Sequence, residues 1–254
     1  MSIRTLPNMV AAGLLLSVLS LTTGCMLWVL PPSSPEARAQ GLVVFYPGAY
    51  NSEWDMQGFY RGFRAAGVSQ AIEIIIWADP LECFFVPQGF LERTRVRAIA
   101  EAQRITEYQA AHPVAPVTLL GFSSGSAMAV MVAEQLPAGG TVDSLILVGP
   151  GLSRYYDLGP ALEHTSQHVA VYWSPRDALA EYLTGVFGTV DRVYTEPAAT
   201  YGFDMEHERL IQFSWEPEMI AYGNYGDHVD YALLDDWIRD YLAPWVAVAE
   251  NDAD

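Results

Sequence analysis

Two serines stand at the junction of two apolar runs in the segment LLGFSSGSAMAV, residues 119–130. Gly121 and Gly125 flank Ser123 at a distance of two residues on each side. A serine held in a sharp strand-to-helix turn can attack a carbonyl carbon, because the turn exposes its hydroxyl and the helix start offers free N–H groups to an oxyanion. Ser123 or Ser124 could instead merely cap the following helix. The surrounding elements must decide between these two hypotheses.

A serine nucleophile requires a histidine base and a carboxylate that orients the histidine. Of the five histidines, His228 lies in a glycine-bearing loop, GNYGDHVDYALL, and is the candidate base. Asp177 directly follows a predicted strand and is the candidate acid, with Asp157 as its rival. Asp227 and Asp230 are interpreted as loop-capping or solvated residues. The remaining histidines are interpreted as surface residues: His112, His164, His168 and His207.

Short β-rich segments alternate with longer helical segments from Gly41 onwards, which predicts parallel strands joined by helical crossovers. The strands are continuous apolar runs, as expected of a sheet that is buried on both faces. The predicted strands are 42–46, 71–77, 117–122, 142–148, 168–173 and 210–215. The predicted helices are 53–66, 91–111, 124–135, 160–167 and 235–242. Each candidate residue follows a strand, so we expect the three to converge at the carboxyl edge of the sheet.

Composition restricts the classes of function. A chain of 254 residues that is 51% hydrophobic predicts one globular domain. The net charge of -17 disfavours nucleic acid and acidic partners. The histidines are not spaced as metal ligands and no glycine-rich phosphate loop is present, so we expect neither a metal nor a cofactor. Beyond the targeting segment only Cys83 remains, and one thiol cannot form an internal disulfide.

The N-terminus is interpreted as an export signal, because Arg4 precedes an apolar run over residues 10–21. The run ends in Leu-Thr-Thr-Gly-Cys, which resembles the lipobox of bacterial lipoproteins and implies lipidation of Cys25. Thr22 stands where a lipobox usually has leucine. An uncleaved membrane anchor and a secreted form cleaved after Ala39 are the alternatives. In all three hypotheses the domain is exported.

The predicted organisation has four parts. Residues 1–25 form a signal peptide or membrane anchor, and residues 26–40 form a linker rich in proline and serine. Residues 41–246 form the folded domain, and residues 247–254 form an acidic tail.

Over residues 42–242 the chain resembles the α/β-hydrolase family, whose nucleophile, acid and base follow the order Ser123, Asp177, His228. The resemblance implies an α/β fold with a predominantly parallel sheet flanked by helices. The sheet is expected to be trimmed at its N-terminal strands, because only the linker precedes the first predicted strand. The resemblance also implies an oxyanion hole formed by the N–H groups of Ala49 and Ser124. In the corresponding loop, FYPGAYN, Tyr46-Pro47 replaces the family's usual histidine.

The leading hypothesis is an esterase- or lipase-like serine hydrolase that cleaves a small-molecule or acyl ester outside the cytoplasm through an acyl-enzyme. An acyltransferase or peptidase with the same triad, and a non-catalytic binding lipoprotein, are the alternatives. The net charge already disfavours a nucleic acid partner, and we expect the protein to meet a membrane only through its N-terminus. No protein partner is inferable. Two regions could shape the pocket or simply form part of the structure: the aromatics Phe84, Phe85 and Phe90, and residues 183–208.

Overall fold

A parallel sheet of six strands is the centre of the computed structural model, which describes residues 33–49, 56–78 and 87–248. The spatial order of the strands is β2-β1-β3-β4-β5-β6, and every neighbouring pair is parallel. The strands are β1 (Leu42–Tyr46), β2 (Ala71–Ile74), β3 (Val117–Phe122), β4 (Val142–Val148), β5 (Thr165–Trp173) and β6 (Leu210–Ser214). The predicted α/β class with a parallel sheet is therefore confirmed.

Helices cover both faces of the sheet. The α-helices are α1 (Pro35–Gln40), α2 (Gln57–Ala65), α3 (Pro87–Ala111), α4 (Gly125–Glu134), α5 (Gly159–Glu163), α6 (Ala178–Phe187), α7 (Ala198–Tyr201), α8 (Asp230–Leu233) and α9 (Asp235–Trp237). A 3-10 helix spans Pro217–Tyr222.

The strand residues alternate between two apolar cores, one on each face. Leu119 and Leu145 pack in one core with α4, whereas Leu120 and Ile146 pack in the other core with α2 and the C-terminal helices. All six residues of β3 are buried, as an apolar run in a central parallel strand requires.

The predicted linker is wrong in its second half, because residues 35–40 form α1. Ser34 accepts a hydrogen bond from the Ala37 N–H (3.2 Å) and Pro35 occupies the first turn, two features that favour a helix start. Arg38 forms an ion pair with Glu73, and Tyr108 Oη donates to the Arg38 carbonyl (2.6 Å). These contacts dock α1 onto the domain.

Two further predicted elements change type. The helix predicted over 160–167 ends at Glu163, because Thr165 is buried and pairs with Val142 at the start of β5. The helix predicted over 235–242 is α-helical only to Trp237 and continues as a π-helical turn, Ile238–Leu242. In both places tertiary packing overrides the local preference of the sequence.

The domain also extends beyond residue 246. Ala247 is buried, its N–H donates to Thr118 Oγ1 (3.1 Å), and its carbonyl accepts from Gln70 Nε2 (3.0 Å). The described residues belong to one compact unit. The predicted export segment, including Cys25, lies outside the described residues, as do Cys83 and the tail from residue 249. Among the helices of residues 33–49, 56–78 and 87–248, none has the length and apolar character needed to cross a membrane.

Candidate active site

Ser123 occupies a strained turn between β3 and α4. Its φ of 54° lies in the left-handed region, which residues other than glycine rarely adopt. The Ser123 N–H donates to the Val148 carbonyl (2.8 Å), and the Ser123 carbonyl accepts from the N–H groups of Gly151 and Ser126 (both 3.0 Å). These backbone bonds hold the turn in place and present the Ser123 side chain at the carboxyl edge of the sheet.

The two flanking glycines are required by close packing. A Cβ atom on Gly121 would lie 2.4 Å from the Ser126 Cα, and one on Gly125 would lie 2.0 Å from the Tyr46 carbonyl oxygen. Real Cβ atoms essentially never approach a non-bonded atom this closely. The Gly-x-Ser-x-Gly spacing therefore has a steric cause, which is the close approach of α4 to β3 and β1.

His228 bridges Ser123 and Asp177. Its Nε2 lies 2.8 Å from Ser123 Oγ, and its Nδ1 lies 2.6 Å from Asp177 Oδ2. With the carboxylate accepting from the Nδ1 proton, Nε2 is left to accept the hydroxyl proton of the serine. The structure thus brings His228 together with Asp177 and Ser123, which lie 51 and 105 positions before it in the chain.

Asp177 is completely buried, and both of its carboxylate oxygens are engaged. Oδ1 accepts the Ala180 N–H (2.9 Å) and caps α6, while Oδ2 faces His228. Thr200 Oγ1 donates to the Asp177 carbonyl (3.3 Å). The cap therefore also aims the second oxygen at the imidazole.

Two residues that the sequence analysis did not assign hold the imidazole of His228. The ring of Phe122 stacks on it with centroids 5.2 Å apart, and Gly149 (φ 53°) makes room for it. A Cβ on Gly149 would lie 3.2 Å from His228 Cε1. A glycine directly after a predicted strand is the signal that would have identified Gly149, because strand ends at this edge surround the site.

The rival carboxylates have local roles. Asp157 Oδ1 accepts the Gly159 N–H (2.8 Å), two residues further along. Asp230 Oδ2 accepts the N–H groups of Tyr225 (2.7 Å) and Asp227 (3.3 Å), which shapes the loop that carries His228. The structure therefore places Asp177, and not Asp157, beside His228.

The sequence analysis interpreted the other four histidines as surface residues, but His164 and His168 are half-buried. His168 is half-buried in β5, and its Nε2 lies within hydrogen-bond distance of Ser144 Oγ (3.1 Å) and the Trp245 carbonyl (3.0 Å). His164 Nδ1 lies 2.6 Å from the Gly140 carbonyl. Both stabilise connections within the domain, away from Ser123.

The loop after β1 approaches Ser123 closely. A Cβ on Gly48 would lie 3.1 Å from the Ser123 Cβ, and Trp77 Nε1 anchors the loop by donating to the Pro47 carbonyl (2.8 Å). Tyr46 turns into the core, where its Oη lies 3.1 Å from Glu101 Oε1. Burial and the neighbouring Glu101 carboxylate raise the pKa of Tyr46 well above its ordinary value.

A largely apolar cavity of about 110 Å³ opens beside Ser123 and His228. Ala49 and Ser124, the predicted oxyanion residues, both line it. The first part of the segment 183–208 also shapes this cavity, which is lined by Leu183, Thr184, Phe187, Gly188, Thr189 and Val190. Phe84, Phe85 and the side chain of Phe90 lie outside the described part of the chain.

Neither a family model nor a curated protein matches this sequence. The fold resembles that of Aspergillus fumigatus lipase B (12% identity, TM-score 0.51, covering 87% of this chain and 57% of that chain). It is also similar to a thioesterase from the prodiginine biosynthetic pathway of Streptomyces coelicolor (15%, 0.47, 86% and 97%) and to a dienelactone hydrolase from Anabaena variabilis (13%, 0.47, 81% and 85%). At such identities the likeness concerns the fold alone, which is that of the α/β-hydrolases.

Proposed function

We propose that this chain, with its α/β-hydrolase fold, is a serine hydrolase that cleaves carboxylic esters. The observation that carries the proposal is the pair of short contacts made by His228, 2.8 Å to Ser123 Oγ and 2.6 Å to Asp177 Oδ2. A serine that only capped α4 would need no such partner, and Ser123 precedes the cap position, which Ser124 occupies.

In the proposed reaction, Ser123 Oγ attacks the ester carbonyl carbon as its proton passes to His228 Nε2. The tetrahedral intermediate collapses, the alcohol leaves with that proton, and an acyl group stays on Ser123. Water then attacks the acyl-enzyme, again giving a proton to Nε2, and the carboxylic acid leaves as the proton returns to Ser123. Asp177 keeps the imidazole in the required tautomer and stabilises its charged form throughout.

The oxyanion of each tetrahedral intermediate would lie between the N–H groups of Ala49 and Ser124. Both residues line the cavity beside Ser123, and Ser124 is the N-cap of α4, where backbone N–H groups are free and the helix dipole is positive. The cavity is smaller than the roughly 300 to 1,000 Å³ of pockets for drug-sized ligands, which favours a short acyl group.

Covalent labelling tests the proposal directly. A fluorophosphonate probe should label the parent chain and should not label Ser123→Ala, and the parent should hydrolyse nitrophenyl esters fastest when the acyl chain is short. If the parent neither labels nor hydrolyses any ester, a binding role becomes the better hypothesis. Adding alcohols or amines as acceptors separates a hydrolase from an acyltransferase, and peptide substrates separate it from a peptidase.

We further propose that the domain acts outside the cytoplasm, held at a membrane through residues 1–25. The support is the apolar run that ends in Gly24-Cys25. In a bacterial host, globomycin should leave an unprocessed precursor if Cys25 receives lipid. Normal maturation under the drug would point instead to an uncleaved anchor or to secretion.

A further inference from the structure

Helix α6 contributes one of its faces to the wall of the candidate active site. Ala180, Leu183, Thr184 and Phe187 lie along this face and line the cavity beside Ser123. Their spacing of three and four residues is that of one side of an α-helix. The apolar side that a helix of this composition is expected to bury therefore faces the cavity.

The adjacent face of α6 is apolar as well, yet it is exposed. Leu179, Tyr182 and Val186 are 45%, 69% and 50% exposed, and Phe187, which also lines the cavity, is 38% exposed. At 3.6 residues per turn, the two faces together span an arc of roughly 200°, about twice the apolar stripe of a helix that faces a core. Among the described residues, nothing covers the outer half of this arc, which is exposed to solvent.

The exposed apolar surface continues into the segment that follows α6. Val193 and Tyr194 are 44% and 65% exposed, and the ring of Tyr194 lies close to Gly188, the residue after Phe187. The Val190 N–H donates to the Gly151 carbonyl (2.9 Å), which fixes this segment to the body of the domain. We call the contiguous surface the apolar rim: Leu179, Tyr182, Val186, Phe187, Val193 and Tyr194.

Charge distinguishes the apolar rim from the rest of the molecule. The chain carries a net charge of -17, but residues 178–194 contain only Glu181, Asp191 and Arg192 as charged residues. Asp191 Oδ1 accepts the Ser153 N–H (2.8 Å), so its carboxylate is directed into the domain. An anionic surface would repel this protein, and the apolar rim offers no cluster of bases to attract one.

We propose that the apolar rim docks the domain on an uncharged lipid surface, so that an acyl chain passes from that surface along α6 into the cavity. Two features favour a lipid surface over a soluble partner. The rim is continuous with the cavity through Phe187, and its two most exposed side chains are tyrosines, which prefer the interface between lipid and water. This inference rests on the proposed ester hydrolysis, because it supplies that reaction with its substrate.

Kinetics of the full chain on dissolved and dispersed esters test the inference. With tributyrin, the parent rate should rise several-fold once the ester exceeds its solubility and forms droplets. The double variant Tyr182→Glu/Val186→Glu should lower the rate on droplets about tenfold and leave the rate on dissolved nitrophenyl butyrate within twofold, because neither side chain lines the cavity. Tyr182→Trp/Val186→Leu should retain the parent rate on droplets.

Helix α3 offers a matched control. Val96 and Ile99 are 67% and 54% exposed, close to the values for Tyr182 and Val186. Val96→Glu/Ile99→Glu should therefore leave both rates unchanged. If this control lowers the droplet rate as much as the rim variant does, general loss of apolar surface is the cause and the rim is not a specific docking site.

A second measurement does not depend on activity. Hydrogen exchange of the full chain should show protection of residues 179–194 when vesicles of phosphatidylcholine, which has no net charge, are added, and Tyr182→Glu/Val186→Glu should abolish that protection. The N-terminal segment is present in both proteins, so it cannot produce the difference.

Protection with no ester hydrolysis would uphold the docking surface and refute the proposed function. Hydrolysis of dissolved ester without protection or droplet enhancement would refute the docking surface alone. A parent dimer that the variant dissociates, with unchanged droplet rates, would show that a second copy covers the rim.

Discussion

Helices α4 and α6 have the same length of ten residues, and each follows a residue of the candidate site. Both are rich in small and apolar side chains. In α4, nine consecutive residues from Gly125 to Ala133 are buried, whereas in α6 only Ala180 and Thr184 are buried. Similar composition has therefore led to opposite degrees of burial.

The position of each helix relative to the sheet explains the difference. Helix α4 packs against β3, β4 and β1 and against α3, so its surroundings enclose it on all sides. Helix α6 crosses the carboxyl edge of the sheet, tied to the body by the Asp177 cap and by contacts with α7. We infer that α4 stabilises the fold, whereas α6 holds Asp177 in place and presents an exposed apolar surface.

The largest difference that we expect between α4 and α6 comes from substituting the residues at their N-caps. Asp177→Asn should lower kcat on nitrophenyl butyrate by about 10⁴-fold, because asparagine favours the wrong tautomer of His228. The free energy of unfolding should change by less than about 1 kcal/mol, since asparagine caps a helix as well as aspartate does.

Two variants control this result. Ser124 makes no side-chain cap bond, so Ser124→Ala, which keeps the backbone N–H, should stay within a few-fold of the parent kcat. Asp157→Asn should also resemble the parent. A greater loss in Asp157→Asn than in Asp177→Asn would show that the acid has been assigned to the wrong residue.

Glycine substitutions test the contrast in packing. Gly125→Ala should destabilise the protein by several kcal/mol or prevent folding, because its Cβ would lie 2.0 Å from the Tyr46 carbonyl oxygen. In α6, a Cβ on Gly185 meets nothing within 4 Å, so Gly185→Ala should stabilise the helix by about 0.5 to 1 kcal/mol. Urea unfolding measures both values. Equal effects at the two positions would contradict the contrast.

A matched pair of valines gives a smaller difference. Val130 in α4 is fully buried, and Val186 in α6 is 50% exposed. Val130→Ala should cost about 2 kcal/mol of unfolding free energy, from lost burial and the cavity left behind. Val186→Ala should cost less than about 0.5 kcal/mol. If Val186→Ala proves as costly in the absence of lipid, the outer face of α6 is covered in solution.

The smallest effect concerns the end of α4. Burial raises the pKa of the Glu134 carboxyl, although the hydrogen bond from Tyr156 Oη (2.8 Å) partly opposes this. The folded state then holds a proton that the unfolded chain releases, so stability should fall as pH rises from the ordinary carboxyl range through the raised pKa. Glu134→Gln should remove this decline, as measured by urea unfolding across mildly acidic to neutral pH. Parallel pH profiles for parent and variant would refute the predicted linkage.

Much of the fold could be predicted from local pattern. The strand 117–122 and the strand 142–148 match β3 and β4 residue for residue, because a central parallel strand must be a continuous apolar run. The candidate triad was predictable for a related reason. Parallel strands bring their carboxyl ends to one edge, so Ser123 and Asp177, each just after a strand, meet there.

Elements at the margins of the domain were harder to predict. Residues 165–167 carry polar side chains typical of a helix end, yet pairing of Thr165 with Val142 makes them a strand. Residues 35–40 resemble a flexible linker in composition, but the ion pair of Arg38 with Glu73, a residue 35 positions away, docks them as a helix. Such partners are distant in the chain, and local propensity contains no information about them.

The sequence by itself determined the order of the strands along the chain, the glycine-flanked turn at Ser123 and the candidates for base and acid. Those features follow from steric limits and from apolar periodicity, which act over a few residues. Only the tertiary structure decided that Asp177 and not Asp157 meets His228, that Gly149 makes room for the imidazole, and that α6 is left half uncovered while α4 is enclosed. These outcomes depend on where helices lie relative to the sheet, and that placement is fixed by packing between residues far apart in the chain.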